Sequence, residues 1–213
     1  MSDSQIDTSK RLLIFSIIHN LILIGIMACG VYLFTFSNIE SDIFSFSFYI
    51  LIVCLPVILY IKFVFKINLI SYLKLNKPSI KNACIAMAIG VFVFIVFFAV
   101  NGFRFSPNLN FKRDIVFVLG TVMVGVFEEI SLRGFYLQVL ESRMGFLKAN
   151  ILSSLMFACL HAITLLKNSE NMMLSLIVFM IISLWLGYIF KKTKSLWVPI
   201  IVHALYNLIV YTT

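Results

Sequence analysis

Charge is scarce in this sequence. Only 12% of its 213 residues are Asp, Glu, Lys or Arg, against 62% hydrophobic, and a chain so poor in charge lies far outside the soluble globular range. A conventional soluble domain is thereby excluded, and the 22 Phe together with the many Ile and Leu become lipid-facing or helix-packing surface. Acid is scarcer than base, nine residues against 17, for a formal charge of +8. A basic excess can mark a nucleic-acid binder, but these cations are scattered between apolar runs and form no single patch. Nucleic acid is therefore excluded as a partner, and the cations are read as determinants of membrane topology.

Several chemical signatures are missing as well. The four cysteines, Cys29, Cys54, Cys84 and Cys159, sit in apolar stretches without CxxC or metal-finger spacing, so neither a disulfide framework nor a zinc knuckle is indicated and they read as small packing residues. HExxH is absent, which withholds the usual helix signature of a zinc protease. No Ser or Cys stands in a nucleophile setting, which disfavours a covalent mechanism. The first apolar run is span-length and no small-residue cleavage motif follows it, so it is expected to stay as an anchor. No soluble domain and no internal repeat is visible.

What the chain does contain is a series of apolar runs of membrane length. A hydrocarbon core of about 30 Å needs about 20 such residues in a helix, and runs of that kind fall at 12–36, 43–64, 83–100, 115–140, 146–166, 172–190 and 195–211. Pro56 lies in the second and can kink it without forbidding it. The expected fold is an all-α, polytopic transmembrane helical bundle of seven spans in the cell membrane. It follows a polar tail at 1–11, with N-terminal spans and loops over 12–114 and a core over 115–213. Twelve of the Lys and Arg fall in the tail and the even-numbered links, four in the odd-numbered links, and Arg133 lies within a span. That asymmetry predicts a cytoplasmic N-terminus. The third link, 101–114, carries Arg104, Lys112 and Arg113 and is the exception; were it to re-enter, or the first span to form a hairpin, the count becomes eight or six.

Against this background the stretch VGVFEEISLRGFYLQVL at 124–140 stands apart. An ionisable group at bilayer depth costs at least a few kcal/mol and marks a functional site whose partner must be named. Glu129 and Arg133 are four apart, share a helical face and are expected to neutralise each other as a structural ion pair. Glu128 points about a quarter turn away and is left for chemistry.

Other polar groups recur in the later spans: His161, and His203 with Asn207 four residues on. Counted at about 1.5 Å per residue from the inner ends of their helices, Glu128, His161 and His203 lie at roughly 18, 20 and 12 Å, depths that allow them to share one pocket. Each has a plainer reading: an intramembrane His or Asn is often a helix-to-helix hydrogen-bonding residue. His19, near the start of the first span, is expected at the interface.

The chemistry such a set supports is hydrolysis. Glu128 can act as general base on a water, His161 can share that water or protonate the leaving amine, and His203 with Asn207 can donate to a developing oxyanion. Glu128, His161 and His203 are also acceptable zinc ligands, and a metal-bound water would do the same work.

Three motifs carry a family resemblance. EEISLR at 128–133 resembles EExxxR, FACLH at 157–161 resembles FxxxH, and HALYN at 203–207 resembles HxxxN/D of the CPBP intramembrane proteases. That family holds the CAAX prenyl endopeptidases of the Rce1 type and the bacterial Abi, or bacteriocin-processing and immunity, proteins. The resemblance covers roughly 115–211, with all three motifs in order and at intact spacing. It implies an all-helical membrane endopeptidase, with Glu128 and His161 activating water and His203 and Asn207 forming the oxyanion site. A metal or a glutamate mechanism stays open. The short chain reads as a small bacterial member, so prenylated substrates are not expected. The substrate would be a peptide or a membrane protein in the lipid bilayer, in peptide maturation, bacteriocin self-immunity or envelope regulation. Two readings from other classes stand beside it. One is a non-catalytic membrane immunity or regulatory protein that binds a receptor or sensor kinase. The other is a proton-coupled transporter, disfavoured by the lack of inverted repeats.

Overall fold

A computed structural model of the chain describes residues 3–36, 49–76, 78–100, 111–168 and 172–212. Helix dominates, and no strand occurs among the described residues. The first helix, α1, spans Asp3–Phe36, so helical structure begins nine residues before the apolar run at 12–36. The second run appears as a π-helix, Tyr49–Cys54, a short α2, Leu55–Leu59, with Pro in its first turn, and a second π-helix, Tyr60–Val64. Then follow α3, Leu69–Tyr72, α4, Ile80–Val100, and α5, Phe111–Glu129. A third π-helix, Ile130–Leu137, continues α5 without a break into α6, Gln138–Met144. The chain ends with α7, Phe146–Asn168, α8, Met172–Thr193, and α9, Trp197–Thr212.

Local chemistry explains the boundaries. Asn68 Oδ1 accepts from the Ser71 backbone N–H at 3.1 Å and starts α3, and Ser79 Oγ accepts from Asn82 N–H at 3.2 Å at the start of α4, both in the manner of N-caps. Gly145 ends α6 at φ +79° with its N–H on the Glu141 carbonyl, a left-handed conformation that glycine adopts at little cost. The expected spans at 83–100, 146–166, 172–190 and 195–211 coincide with α4, α7, α8 and α9 within a few residues. Two expectations are corrected. Residues 111–114, read as part of the third link between spans, form the first turn of α5. The run at 115–140, read as one regular helix, turns π directly after Glu129. Just past its end Gln138 Nε2 donates to the Gly134 carbonyl, the acceptor that the Gln138 backbone N–H would use in an α-helix. The link at 37–42, the start of the second span and residues 101–110 lie outside the described residues.

The chain divides into two compact units, one built from Met1–Glu40 and Leu132–Tyr188, the other from Ser41–Ser131 and Ile189–Thr213. In the first, α1 packs on α6 and α7, and α6 on α7. Asn150 Nδ2 donates to the Leu184 carbonyl at 2.9 Å, joining α7 to α8, and a Cβ at Gly187 would lie 1.9 Å from Asn150 Oδ1, so only glycine fits there. His19 is buried and stacked on Phe15 with ring centroids 5.7 Å apart. In the second unit α9 packs on both α4 and α5, around a core of Ala86, Ile189 and Val198 flanked by Ile85, Ile89 and Ile201.

Among the described residues, Met172–Thr193 is the helix long and apolar enough to cross a bilayer by itself. Ile52–Val64, Ile80–Phe92, Phe146–Ala162 and Trp197–Leu208 are shorter apolar helices. On α8 Met173, Leu174, Ile177, Val178, Ile181, Trp185 and Tyr188 are all exposed, and their spacing of three and four residues makes a continuous apolar stripe. Water would penalise such a stripe, whereas lipid tails match it. The architecture is an all-α membrane helical bundle.

Candidate active site

The unit of Ser41–Ser131 and Ile189–Thr213 holds Glu128, Glu129, His203 and Asn207. Gly125, one turn before Glu129, sets up their meeting. A Cβ there would stand 3.3 Å from the Ala204 backbone nitrogen, 3.4 Å from its Cα and 3.6 Å from Asn207 Nδ2. The bare glycine therefore lets α5 press directly against the backbone of α9, as small residues do at membrane helix crossings. The contact falls beside His203, and the end of α5 places both carboxylates on that ring.

His203 lies between the two glutamates. Its Nδ1 is 2.8 Å from Glu129 Oε1, and its Nε2 is 3.7 Å from Glu128 Oε2. All three side chains are buried, with Glu129 at 0%, His203 at 3% and Glu128 at 7% exposure. A carboxylate only accepts, so the short contact is an Nδ1–H donating to Glu129. That bond assigns the ring tautomer and turns Nε2 toward Glu128, as a second carboxylate commonly does for a working histidine. At 3.7 Å the Glu128 contact is too long for a hydrogen bond, and Glu128 Oε2 is buried without any hydrogen-bond donor among the described residues. A buried polar atom in that condition forfeits roughly 1–3 kcal/mol and in native proteins calls for a functional reason.

Asn207 Nδ2 reaches the Thr121 carbonyl at 3.5 Å, beside Gly125 and on the same face of α9 as His203. Ser131 Oγ donates to the Val53 carbonyl at 2.7 Å, tying the chain just past the glutamates to the π-helix Tyr49–Cys54.

Arg133 and His161 belong to the other unit, and there they share Phe157. Arg133 Nη2 donates to the Ser183 carbonyl at 3.0 Å and to Ser183 Oγ at 2.8 Å. Its guanidinium carbon lies 5.3 Å from the centre of the Phe157 ring, a cation–π distance. The His161 ring is 4.2 Å from Phe157 and 4.5 Å from Phe179, centroid to centroid. Its Nδ1–H donates to the Phe157 carbonyl at 2.9 Å, because a carbonyl can only accept. The FxxxH spacing thus has a local meaning: the phenylalanine one turn earlier supplies both the ring wall and the oxygen that orient the histidine.

The sequence spacing pairs Glu129 with Arg133. To these the structure adds a long-range partner each, His203 for the carboxylate and Ser183 for the guanidinium. Gly125, Ala204, Thr121, Phe179 and Ser183 escaped the sequence reading. A small residue one turn from a buried acid was the available signal for Gly125; nothing local marks Ser183. For metal, Glu128 and His203 stand together in one unit and His161 in the other. No set of three His, Cys, Asp or Glu side chains placed to hold an ion occurs among the described residues.

Residues 110–209 match the model of the family described as type II CAAX prenyl endopeptidase Rce1-like. The chain is also similar to CAAX prenyl protease 2 of Methanococcus maripaludis, 30% identical over 125 residues that make up 52% of this chain and 45% of that protein. The chain thus spans less than half the length of this curated relative. No solved structure matches it. The matched segment runs from the first turn of α5 to the last turn of α9 and contains all three motifs. Over residues 110–209 the chain is thus similar to the Rce1-like CAAX endopeptidase family.

Proposed function

We propose that the protein is an intramembrane endopeptidase that hydrolyses a peptide bond in a peptide or membrane-associated protein, with Glu128 activating the water. The observation that carries this reading is the buried oxygen of Glu128, which meets no hydrogen-bond donor and lies 3.7 Å from an imidazole whose other nitrogen is anchored on Glu129. The family match and the relative's name, CAAX prenyl protease 2, supply the reaction class.

In this mechanism Glu128 takes the proton of the attacking water as its oxygen bonds the carbonyl carbon and gives that proton to the amine released when the C–N bond breaks, with the His203 imidazole beside the reacting group. Glu129 keeps the His203 ring from turning, so it acts by positioning. Asn207, one helical turn beyond His203, adds an amide donor for the developing oxyanion. His161 enters on its place in the FxxxH motif, as a second partner of the water. The role this reading carries is maturation of a bacteriocin or signalling peptide, or self-immunity to one, from the cell membrane with the N-terminus in the cytoplasm.

The test is cleavage of a peptide library by the full chain in proteoliposomes, comparing wild type, Glu128→Gln, His161→Ala and His203→Gln at matched membrane levels. Wild-type cleavage that is lost in all three variants supports the hydrolase. Undiminished cleavage in Glu128→Gln overturns it. If the phenotype in cells survives every substitution while the protein accumulates, the reading passes to a membrane regulatory protein that binds a receptor or sensor kinase.

A further inference from the structure

Three non-glycine residues among those described adopt a left-handed backbone, and all three are lysines: Lys66 at φ +53°, Lys74 at +57° and Lys194 at +50°. Each stands just past the end of a helix, after the π-helix Tyr60–Val64, after α3 and after α8 respectively. Such positions usually go to Gly or Asn, because a Cβ is crowded there. A helix C-terminus carries partial negative charge and tolerates a cation well, but this accounts for one lysine at a time and not for their gathering. Backbone outliers of this kind concentrate at functional sites.

The gathering is built by hydrogen bonds within one unit. The Leu196 N–H donates to the Lys74 carbonyl at 3.0 Å, Trp197 Nε1–H donates to the Leu75 carbonyl at 3.0 Å, and Asn82 Nδ2 donates to the Thr193 carbonyl at 3.2 Å. The connection carrying Lys66, Lys74 and Lys81 is thereby fastened to the turn carrying Lys194. Lys74 Nζ rests 4.6 Å from the centre of the Phe190 ring, while Lys62, Lys66, Lys81 and Lys194 are exposed. Residues 49–100 and 171–213 contain no Asp or Glu at all. Between the cations the surface is apolar: Ile67 and Ile70 are 43% and 54% exposed.

We infer that this end of the unit is a docking platform for the headgroups of anionic phospholipids. Exposed lysines interleaved with exposed isoleucines fit a surface that is negative at the phosphates and apolar just beneath them. An indole whose N–H is held by backbone at the same level fits the interfacial depth. Water-soluble anions would gain nothing from Ile67 and Ile70. The platform makes no use of Glu128 or His203, so it stands or falls apart from the proposed hydrolysis.

The left-handed lysines offer an unusual variant. In Lys66→Gly/Lys194→Gly the charge is lost while the backbone is relaxed, so folding is kept or improved. The full chain, purified in detergent, is supplied with phosphatidylglycerol or phosphatidylcholine, and retained lipid is counted by native mass spectrometry alongside thermal unfolding. Wild type is expected to prefer phosphatidylglycerol, with a preference that shrinks in high salt. Each lysine near an anionic surface is worth roughly fivefold in affinity, so the double variant should lose roughly 25-fold. Lys62→Gln/Lys81→Gln, which alters no left-handed position, should shift in the same direction. Retention of the preference in both variants, or equal retention of both lipids by wild type, overturns the inference. Stabilisation by inorganic phosphate alone to the same extent as by phosphatidylglycerol also overturns it, as an ion site without the lipid.

Discussion

Two buried polar clusters invite comparison, one in each unit. Around Arg133 the charge is provided for: two hydrogen bonds from Nη2 to Ser183 and the face of Phe157 surround a guanidinium that is 1% exposed. Around Glu128 it is not. His203 is bonded to Glu129 at 2.8 Å, yet stops 3.7 Å short of Glu128, and Glu128 Oε2 has no donor among the described residues. Both clusters place ionisable groups in a membrane protein, where each costs at least a few kcal/mol. A charge enclosed by hydrogen bonds holds helices together. In the proposed mechanism the buried Glu128 oxygen without a donor is the one that takes a proton from the water.

The sharpest way to break this contrast is Glu128→Gln. If Glu128 is the reactive member, cleavage falls roughly 10²–10⁴-fold, the range for a general base, while thermal unfolding of the purified protein stays near wild type. A large loss of stability with cleavage per folded molecule intact would place Glu128 with Arg133 as a structural group. Arg133→Gln should behave in the opposite way. Removing one partner from a buried charged network costs about 3–5 kcal/mol, so the amount of folded protein in membranes should drop first. An Arg133→Gln protein that accumulates normally and loses only activity would erase the distinction.

Gly125→Ala sharpens the first cluster from the backbone side. The added methyl meets Ala204 at 3.3 and 3.4 Å and must move α5 from α9 by a few tenths of an ångström. That strain costs about 1–3 kcal/mol and should loosen the Glu129–His203 bond, lowering kcat more than it changes KM. Kinetics that match wild type would show that the close helix approach is not what positions the ring. The smallest expected effect is Ser183→Ala. It removes the hydroxyl acceptor from Arg133 but leaves the Ser183 carbonyl, so about 1–2 kcal/mol of stability should be lost, with cleavage per folded molecule unchanged.

Much of the fold was legible in the residues. An apolar run of span length announces itself over some 20 consecutive positions, and α4, α7, α8 and α9 fall where those runs do. The candidate site was legible for a related reason: Glu128, Glu129, Arg133, His161, His203 and Asn207 stand out as polar in apolar surroundings. Less legible were the departures from regularity. The π-helix after Glu129 is accompanied by a side-chain bond from Gln138 to the Gly134 carbonyl, and hydrophobic patterning registers neither. The ring on which His19 stacks, Phe15, meets the edge of Phe135 from far along the chain at 5.7 Å between centroids.

By itself, then, the sequence determined that the chain is a helical membrane protein and which few side chains are candidates for its chemistry. Run length and the cost of charge in lipid are properties of each segment alone. The tertiary structure decided the partners: His203 for Glu129 across 74 residues, Ser183 for Arg133 across 50, Val53 for Ser131 across 78. Such pairings follow from how each helix is rotated and how closely two backbones approach. A missing methyl at Gly125 sets the approach of α5 to α9, and no count of residues along the chain contains that distance.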